Sequence, residues 1–325
     1  MRSFIHTTLH PGMYHGFYKR PPFFEGWYYK LVSEDEKYLY AIIPGIILGE
    51  KAHAFIQVLN GVSGKSTYHT FPIEAFWASK EHFEVQIGSN RFTAQEISLD
   101  LQDALGQIAG ELHFRGGSPW PVSPLSPGIM GWYAWVPRME CYHGVLSFDH
   151  IIQGRLEIDR AEINLNGGRG YIEKDWGQSF PAAWVWFQTN HFSTPTTCLT
   201  ASVAIIPWVK SAFRGFIVGF WHQELLYKFA TYSGARIERL EIGEHRVDWI
   251  VRDRDFRLEM SAQQAPGGLL LGPTKVEMGK RVAETLSATV DVRFSQISGE
   301  VLFEGRGKYA GLEVNGDLPR LMGKI

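Results

Sequence analysis

Cysteine is nearly absent from this chain: Cys141 and Cys198 stand alone among 325 residues. That excludes a disulfide framework and leaves either one bridge or two buried thiols. Charge is scarce too, at 20% of residues, and it nearly balances to a formal net charge of -2. Nothing in that balance suits nucleic acid or an anionic surface as a partner. No apolar run reaches the roughly 20 residues that span a bilayer. The opening residues, "MRSFIHTTLHPGMYHG", lack the apolar core of a signal peptide. A cytoplasmic protein is expected, one able to touch a membrane transiently to collect an apolar substrate. Helical periodicity is missing almost everywhere, and "TKVEMGKRVAET" (274–285) is the one fair helix candidate.

What the chain has instead is strands and aromatic surface. Hydrophobic residues make up 45% and aromatics 14%. The surplus beyond an ordinary core suits an apolar ligand cavity. Short β-rich segments such as "FFEGWYYKLV", "KYLYAIIPGIIL" and "HAFIQVLNG" follow one another with turn signals between them. The pattern starts again after residue 183. "LYAIIPGI" (39–46) is echoed by "SVAIIPWV" (202–209), each after a tryptophan-bearing strand. These features predict an all-β protein of two similar domains, divided as 1–175 and 176–325. The segment 116–137 interrupts the rhythm with five prolines and four glycines. Its aromatics, Trp120, Trp132, Tyr133 and Trp135, favour an ordered lid or rim over a loose linker.

Several short motifs carry no chemistry. "GVSGKST" (61–67) has the end of a phosphate loop, but the required glycine is replaced by Leu59 and no helix follows. "GRGKYAG" (305–311) has the wrong spacing for a dinucleotide fingerprint. His6 and His10 are spaced like metal ligands on a helix, without a carboxylate partner and in a turn-like stretch. No metal or redox cofactor site stands out.

"GYIEKDWGQSFPAAWVWFQTNHF" (170–192) is different. As a strand, "GYIEKDW" places Tyr171, Glu173 and Asp175 on one face, and Ile172, Lys174 and Trp176 on the other. Two carboxylates about 7 Å apart raise the pKa of at least one, and burial raises it further. Two readings stay open. One acid is neutralised by Lys174 or Arg169 in an ion pair, or one is kept protonated for catalysis. "FFEGWYY" (23–29) sets Glu25 beside Trp27, and "MECYHGVLSFDH" (139–150) adds Glu140 and His143, with Gly144 able to absorb a bend.

These three motifs together resemble the tocopherol cyclase family, in a pattern running from about Pro21 to the C-terminus. The resemblance implies two lipocalin-like antiparallel β-barrels in tandem with few short helices. It implies closure of a prenylated hydroquinone to a chromanol, in which a phenol O–H adds across an alkene without a redox cofactor. Protonating the alkene needs a carboxylic acid kept neutral by apolar surroundings. On the resemblance and the face arithmetic, Asp175 is the acid, and Glu173 tunes it or accepts the phenol proton. Trp176, Trp184 and Trp186 wall the prenyl chain, while Asn190 and His191 hold ring hydroxyls. Glu25, Trp27 and His143 join the site, and Glu25 or His143 can exchange roles with the acid. The competing expectation is a non-catalytic carrier of an apolar ligand, in which Glu173 and Asp175 pair with Lys174 or an arginine.

Overall fold

A computed structural model describes residues 2–323. The chain forms two compact units. The first runs to Phe180 and takes in Leu269–Arg281; the second holds Pro181–Gly268 and the chain from Val282 onward. A single cut at 175/176 has no place for that return of 269–281. Within the first unit the returning segment is fastened by Gln57, whose side-chain amide donates to Leu271 O at 3.2 Å and accepts from Leu271 N at 2.7 Å. Both cysteines are free thiols.

In the first unit a short helix, α1 (Arg2–Thr8), precedes a twelve-stranded antiparallel sheet. Its centre is built from β1 (Phe23–Val32), β2 (Cys141–Ile158) and β3 (Arg169–Gly177). β3 lies between the other two, with Leu39–Leu48 on the far side of β1. Alternate residues of these strands, including Trp27, Tyr29, Leu31, Ile172 and Trp176, enter one core with apolar residues of the remaining strands. The sheet therefore curls around its own interior. Segment 116–137 is ordered. It holds a two-residue hairpin (Val122–Ser123 with Ser126–Pro127) and a 3-10 stretch (Gly128–Trp135). Trp120 is buried against Phe148, with ring centroids 5.7 Å apart.

A second antiparallel sheet, of ten strands, repeats the plan. Its main strands are β4 (Ala183–Thr189), β5 (Cys198–Trp208), β6 (Met278–Gln296) and β7 (Val301–Gly316). In both sheets the first strand is flanked by the second strand on one side and the last on the other. The sequence echo falls on those second strands, Leu39–Leu48 and β5. Val185, Phe187, Val203, Val218, Trp249, Val290 and Leu312 share a second core. Among the described residues no backbone ladder joins the end strands of either sheet, so each barrel is open there.

Residues 278–285 lie at the start of β6, which corrects the helix expected over 274–285. Lys, Glu and Met favour a helix locally, but Glu284 and Thr285 pair with Glu313 and Leu312 of β7, and ladder pairing overrides that preference. His6, expected in a turn, sits on α1, and His10 Nδ1 lies 2.7 Å from His6 O. No helix among the described residues is long and apolar enough to cross a membrane.

Candidate active site

β3 alternates as its sequence requires. Ile172 and Trp176 enter the core of the first unit, and Lys174 shares their face; Tyr171, Glu173 and Asp175 take the opposite face. The register then decides their neighbours. On β1, Gly26 is paired with Asp175, Tyr28 with Glu173 and Lys30 with Tyr171. On β2, His143 is paired with Asp175 and Val145 with Glu173. Lys30 and Tyr28 are both buried. The bend expected at Gly144 is instead a pair of register shifts beyond it, between Val145 and His150. Gly144 itself leaves room for Trp176, whose ring would stand 3.3 Å from a Cβ there.

His143 is the centre of the cluster. Its Nδ1 lies 2.8 Å from Asp175 Oδ1, and its Nε2 lies 3.5 Å from Glu173 Oε2. The second distance is too long for a good hydrogen bond but short enough for charge to be felt. Tyr171 Oη donates to Glu173 Oε2 at 2.5 Å. The two acids differ in access: the Asp175 side chain is 29% exposed and that of Glu173 7%. The beginning of β2 also carries Cys141, whose thiol pKa is driven up by burial and then by Asp175 and Glu140, which makes it a poor nucleophile. Glu140 stands apart, accepting from Ser179 Oγ at 3.2 Å.

The opposite face of β3 carries a second ionic cluster. Lys174 is fully buried, 2.5 Å from Glu25 Oε1, and donates to Pro11 O at 2.9 Å and to Met13 O. Its ammonium also lies 5.0 Å and 4.6 Å from the rings of Trp27 and Trp176. Both backbone contacts come from residues 11–13, so the pair ties the N-terminal segment to the sheet. Trp27 Nε1 adds a bond to Gly12 O at 2.9 Å, and His15 N donates to both Glu25 oxygens at 2.9 Å. His15 stacks on Trp176, with centroids 4.2 Å apart, and its Nδ1 lies 2.8 Å from Lys174 Nζ. Burial, then Lys174, lowers the His15 pKa to about 4, so the ring is neutral with Nδ1 accepting from the ammonium. Nε2 then donates to Thr7 O at 3.1 Å. With Nδ1 unprotonated, its 3.4 Å contact to Glu25 Oε1 sets acceptor against acceptor and is not a hydrogen bond; Lys174 is the donor the two acceptors share. Burial also lowers Lys174 to about 8 despite Glu25. Burial alone would raise Glu25, but Lys174 and His15 hold it below the ordinary carboxylate range.

The fold thus separates the candidates. His143, Glu173 and Asp175 come together, joined by Tyr171, which the sequence placed on their face without giving it a role. Tyr28 and Lys30 share that face and are visible only once β1 is paired with β3. Glu25, Trp27 and Trp176 belong to the other face, where they hold residues 11–15. Lys174, weighed as an ion-pair partner for Glu173 or Asp175, is committed to Glu25. Arg169, weighed likewise, binds Asp149 through contacts of 3.0 Å and 2.7 Å.

Trp184, Trp186, Asn190 and His191 lie in the second unit. The two tryptophans are buried on the face of β4 opposite Val185 and Phe187. Trp184 Nε1 donates to Glu313 Oε2 at 2.6 Å. Asn190 is buried, with Oδ1 2.8 Å from His191 Nδ1. His191 O accepts from Lys308 N at 3.0 Å.

The sequence offered no metal motif, yet His143, Glu173 and Asp175 each present a donor atom within 4.8 Å of the others. Both imidazole nitrogens already face carboxylates, so a cation would have to displace one of these contacts.

Two lipocalin-like sheets in tandem, the first bearing a half-buried imidazole between two carboxylates, define a β-barrel protein with a histidine–carboxylate cluster on its first sheet. The tocopherol cyclase-like family model matches residues 120–316, which include His143, Glu173 and Asp175, and the chain belongs to that family. The tocopherol cyclase of Zea mays chloroplasts is 24% identical over 199 residues, covering 57% of this chain and 41% of the maize protein. The chain therefore spans less than half the length of that relative. Among solved structures, CghA with Sch210972 aligns with a TM-score of 0.57 at 12% identity, covering 91% of this chain and 89% of CghA. CghA without that compound gives 0.58 at the same identity and coverage. At such identity the likeness shows the fold alone.

Proposed function

We propose that this protein closes a prenylated hydroquinone, or a related prenylated phenol, to a chromanol by acid catalysis at Asp175. The observation that carries the reading is the His143 bridge. It holds Asp175 Oδ1 at 2.8 Å and leaves Oδ2, on the more exposed of the two acids, without a protein partner among the described residues. In the protonated acid, the Oδ1 carbonyl accepts from His143 Nδ1–H, and Oδ2–H is the proton donor.

Asp175 gives that proton to the less substituted carbon of the alkene, which leaves a tertiary carbocation. The phenol oxygen attacks the cation and forms the ring C–O bond. The phenol proton then passes to the Asp175 carboxylate and restores the acid. No electrons are gained or lost, and substrate and product are isomers. While Asp175 is ionised, the His143 Nδ1–H bond stabilises its carboxylate, and Glu173, held by Tyr171, faces the other imidazole nitrogen and orients the ring. Tyr28 and Tyr171 supply aromatic faces on the same side of the sheet.

Family membership at the level of tocopherol cyclase-like proteins supports this class of reaction. The carrier reading expected Lys174 or an arginine beside the acids; Lys174 pairs with Glu25, and Arg169, the arginine nearest in sequence, pairs with Asp149. The test is incubation with a panel of prenylated hydroquinones and separation of products of unchanged mass. A chromanol from at least one member is expected. Tight binding of the panel with every substrate recovered unchanged would favour the carrier.

A further inference from the structure

Residues 1–24 and 116–139 contain no aspartate or glutamate. The fold brings these two acid-free stretches together. The Phe4 ring on α1 meets the Trp135 ring edge-on, with centroids 6.0 Å apart. Trp135 Nε1 in turn donates to Pro124 O at 2.9 Å, which fixes the tip of the 122–127 hairpin beside it. Leu125 occupies that tip and is 87% exposed. Val122 on the hairpin, Phe4 and Ile5 on α1, and Trp132 are exposed as well. Trp132 and Trp135 are three residues apart in a 3-10 turn, so they project from the same side of it. Ile129 and Met130, by contrast, are buried and anchor the segment. The result is a braced apolar surface in which large side chains are spent on solvent, an arrangement that marks an interaction site.

The charged residues of the two stretches themselves are all basic: Arg2, Lys19, Arg20 and Arg138. β1 and β2 both begin at the end of the sheet where Phe24 and Cys141 pair with Gly177. Exposed Lys19 and Arg20 immediately precede β1, and exposed Arg138 precedes β2. The acids at that end are Glu140, which accepts from Ser179 Oγ at 3.2 Å, Asp175, held by His143, Glu50, beside Val276, and Glu277, which pairs with Lys51 at 3.4 Å. Aromatic and aliphatic side chains exposed together, on segments whose only charges are basic, match the mixed chemistry of a bilayer surface. Acyl chains receive the tip and anionic head groups meet the bases.

We propose that α1 and the 122–135 segment form a membrane-docking face for a bilayer containing anionic lipid. The inference does not depend on the chemistry at Asp175. The face gives the protein access to ligands dissolved in a membrane.

The test is cosedimentation of the full chain with phosphatidylcholine vesicles, with and without phosphatidylserine. Binding is expected with both, tighter with phosphatidylserine, and that increment should fade as salt is raised. Leu125→Asp and Phe4→Glu should each reduce partitioning about tenfold, the loss expected for withdrawing one large apolar side chain from an apolar phase. Their exposure means that circular dichroism should be unchanged. A combined Lys19→Ser, Arg20→Ser, Arg138→Ser variant should lose the phosphatidylserine increment and keep the apolar part. Failure of the wild type to sediment would overturn the proposal, as would equal partitioning of the Leu125 and Phe4 variants. So would a concentration-dependent dimer abolished by those two substitutions, which would assign the face to a second copy of the chain.

Discussion

Lys174 and Asp175 are chain neighbours on opposite faces of one strand, and their environments set opposite tasks. Lys174 has its positive charge matched by Glu25 and its protons directed at backbone carbonyls. Replacing it with methionine leaves Glu25 buried and uncompensated, which should cost about 3–5 kcal/mol. Urea unfolding of Lys174→Met and of Lys174→Met with Glu25→Leu measures this. The double variant is expected to recover much of the loss, because no isolated charge remains. His15 adds a pH signature. Its pKa is about 4 in the folded chain against an ordinary 6.5. Between those values the unfolded chain binds more protons, so stability falls as pH falls from 6.5 to about 4. The contribution is on the order of 3 kcal/mol. His15→Gln should flatten that part of the profile. Glu25, held below its ordinary value, then gives a further loss at more acidic pH, below 4.5.

At the scale of the strand, register matters more than composition. Gly170 faces His150, and a Cβ added to Gly170 would stand 2.1 Å from His150 Nε2. Both groups are buried, so Gly170→Ala should destabilise by about 1–3 kcal/mol through overpacking. His150→Ala in the same chain should relieve part of that cost, and a double-mutant cycle of thermal unfolding would register the coupling. The alternation of residues 171–176 is legible in the sequence because a period of two is a local property. The partner of each face is not. Whether His143 or its neighbour meets Asp175 depends on a pairing between residues 32 positions apart, and on register shifts that lie further along β2. Glu25 reads as a site residue because it sits among aromatics. Only the pairing of β1 with β3 and the course of residues 11–15 show that those aromatics enclose Lys174. The helix expected at 274–285 fails for a related reason: its residues suit a helix in isolation, and the ladder to β7 is a non-local influence.

For the whole molecule, repetition of short strands and the "AIIP" echo are enough to read two all-β units. The shared strand order explains the echo, since both copies occupy the second strand of their sheet. The passage of Leu269–Arg281 into the first unit leaves no mark in composition, because it rests on contacts such as Gln57 with Leu271 rather than on a linker. The family follows from motifs spread over both units, whereas the proposed chemistry rests on His143, Glu173 and Asp175 in the first. The most direct measurement is turnover of a prenylated hydroquinone in D₂O by the wild type and by Asp175→Asn, with unfolding followed in parallel. The wild type should yield a chromanol carrying a single carbon-bound deuterium, because the alkene carbon receives its proton from a solvent-exchanged acid. Asp175→Asn keeps an oxygen that accepts from His143, so it should melt near the wild type and lose about 10²–10⁴-fold or more in rate. A stably folded Asp175→Asn protein with full turnover would contradict the assignment, as would a wild-type product without carbon-bound deuterium.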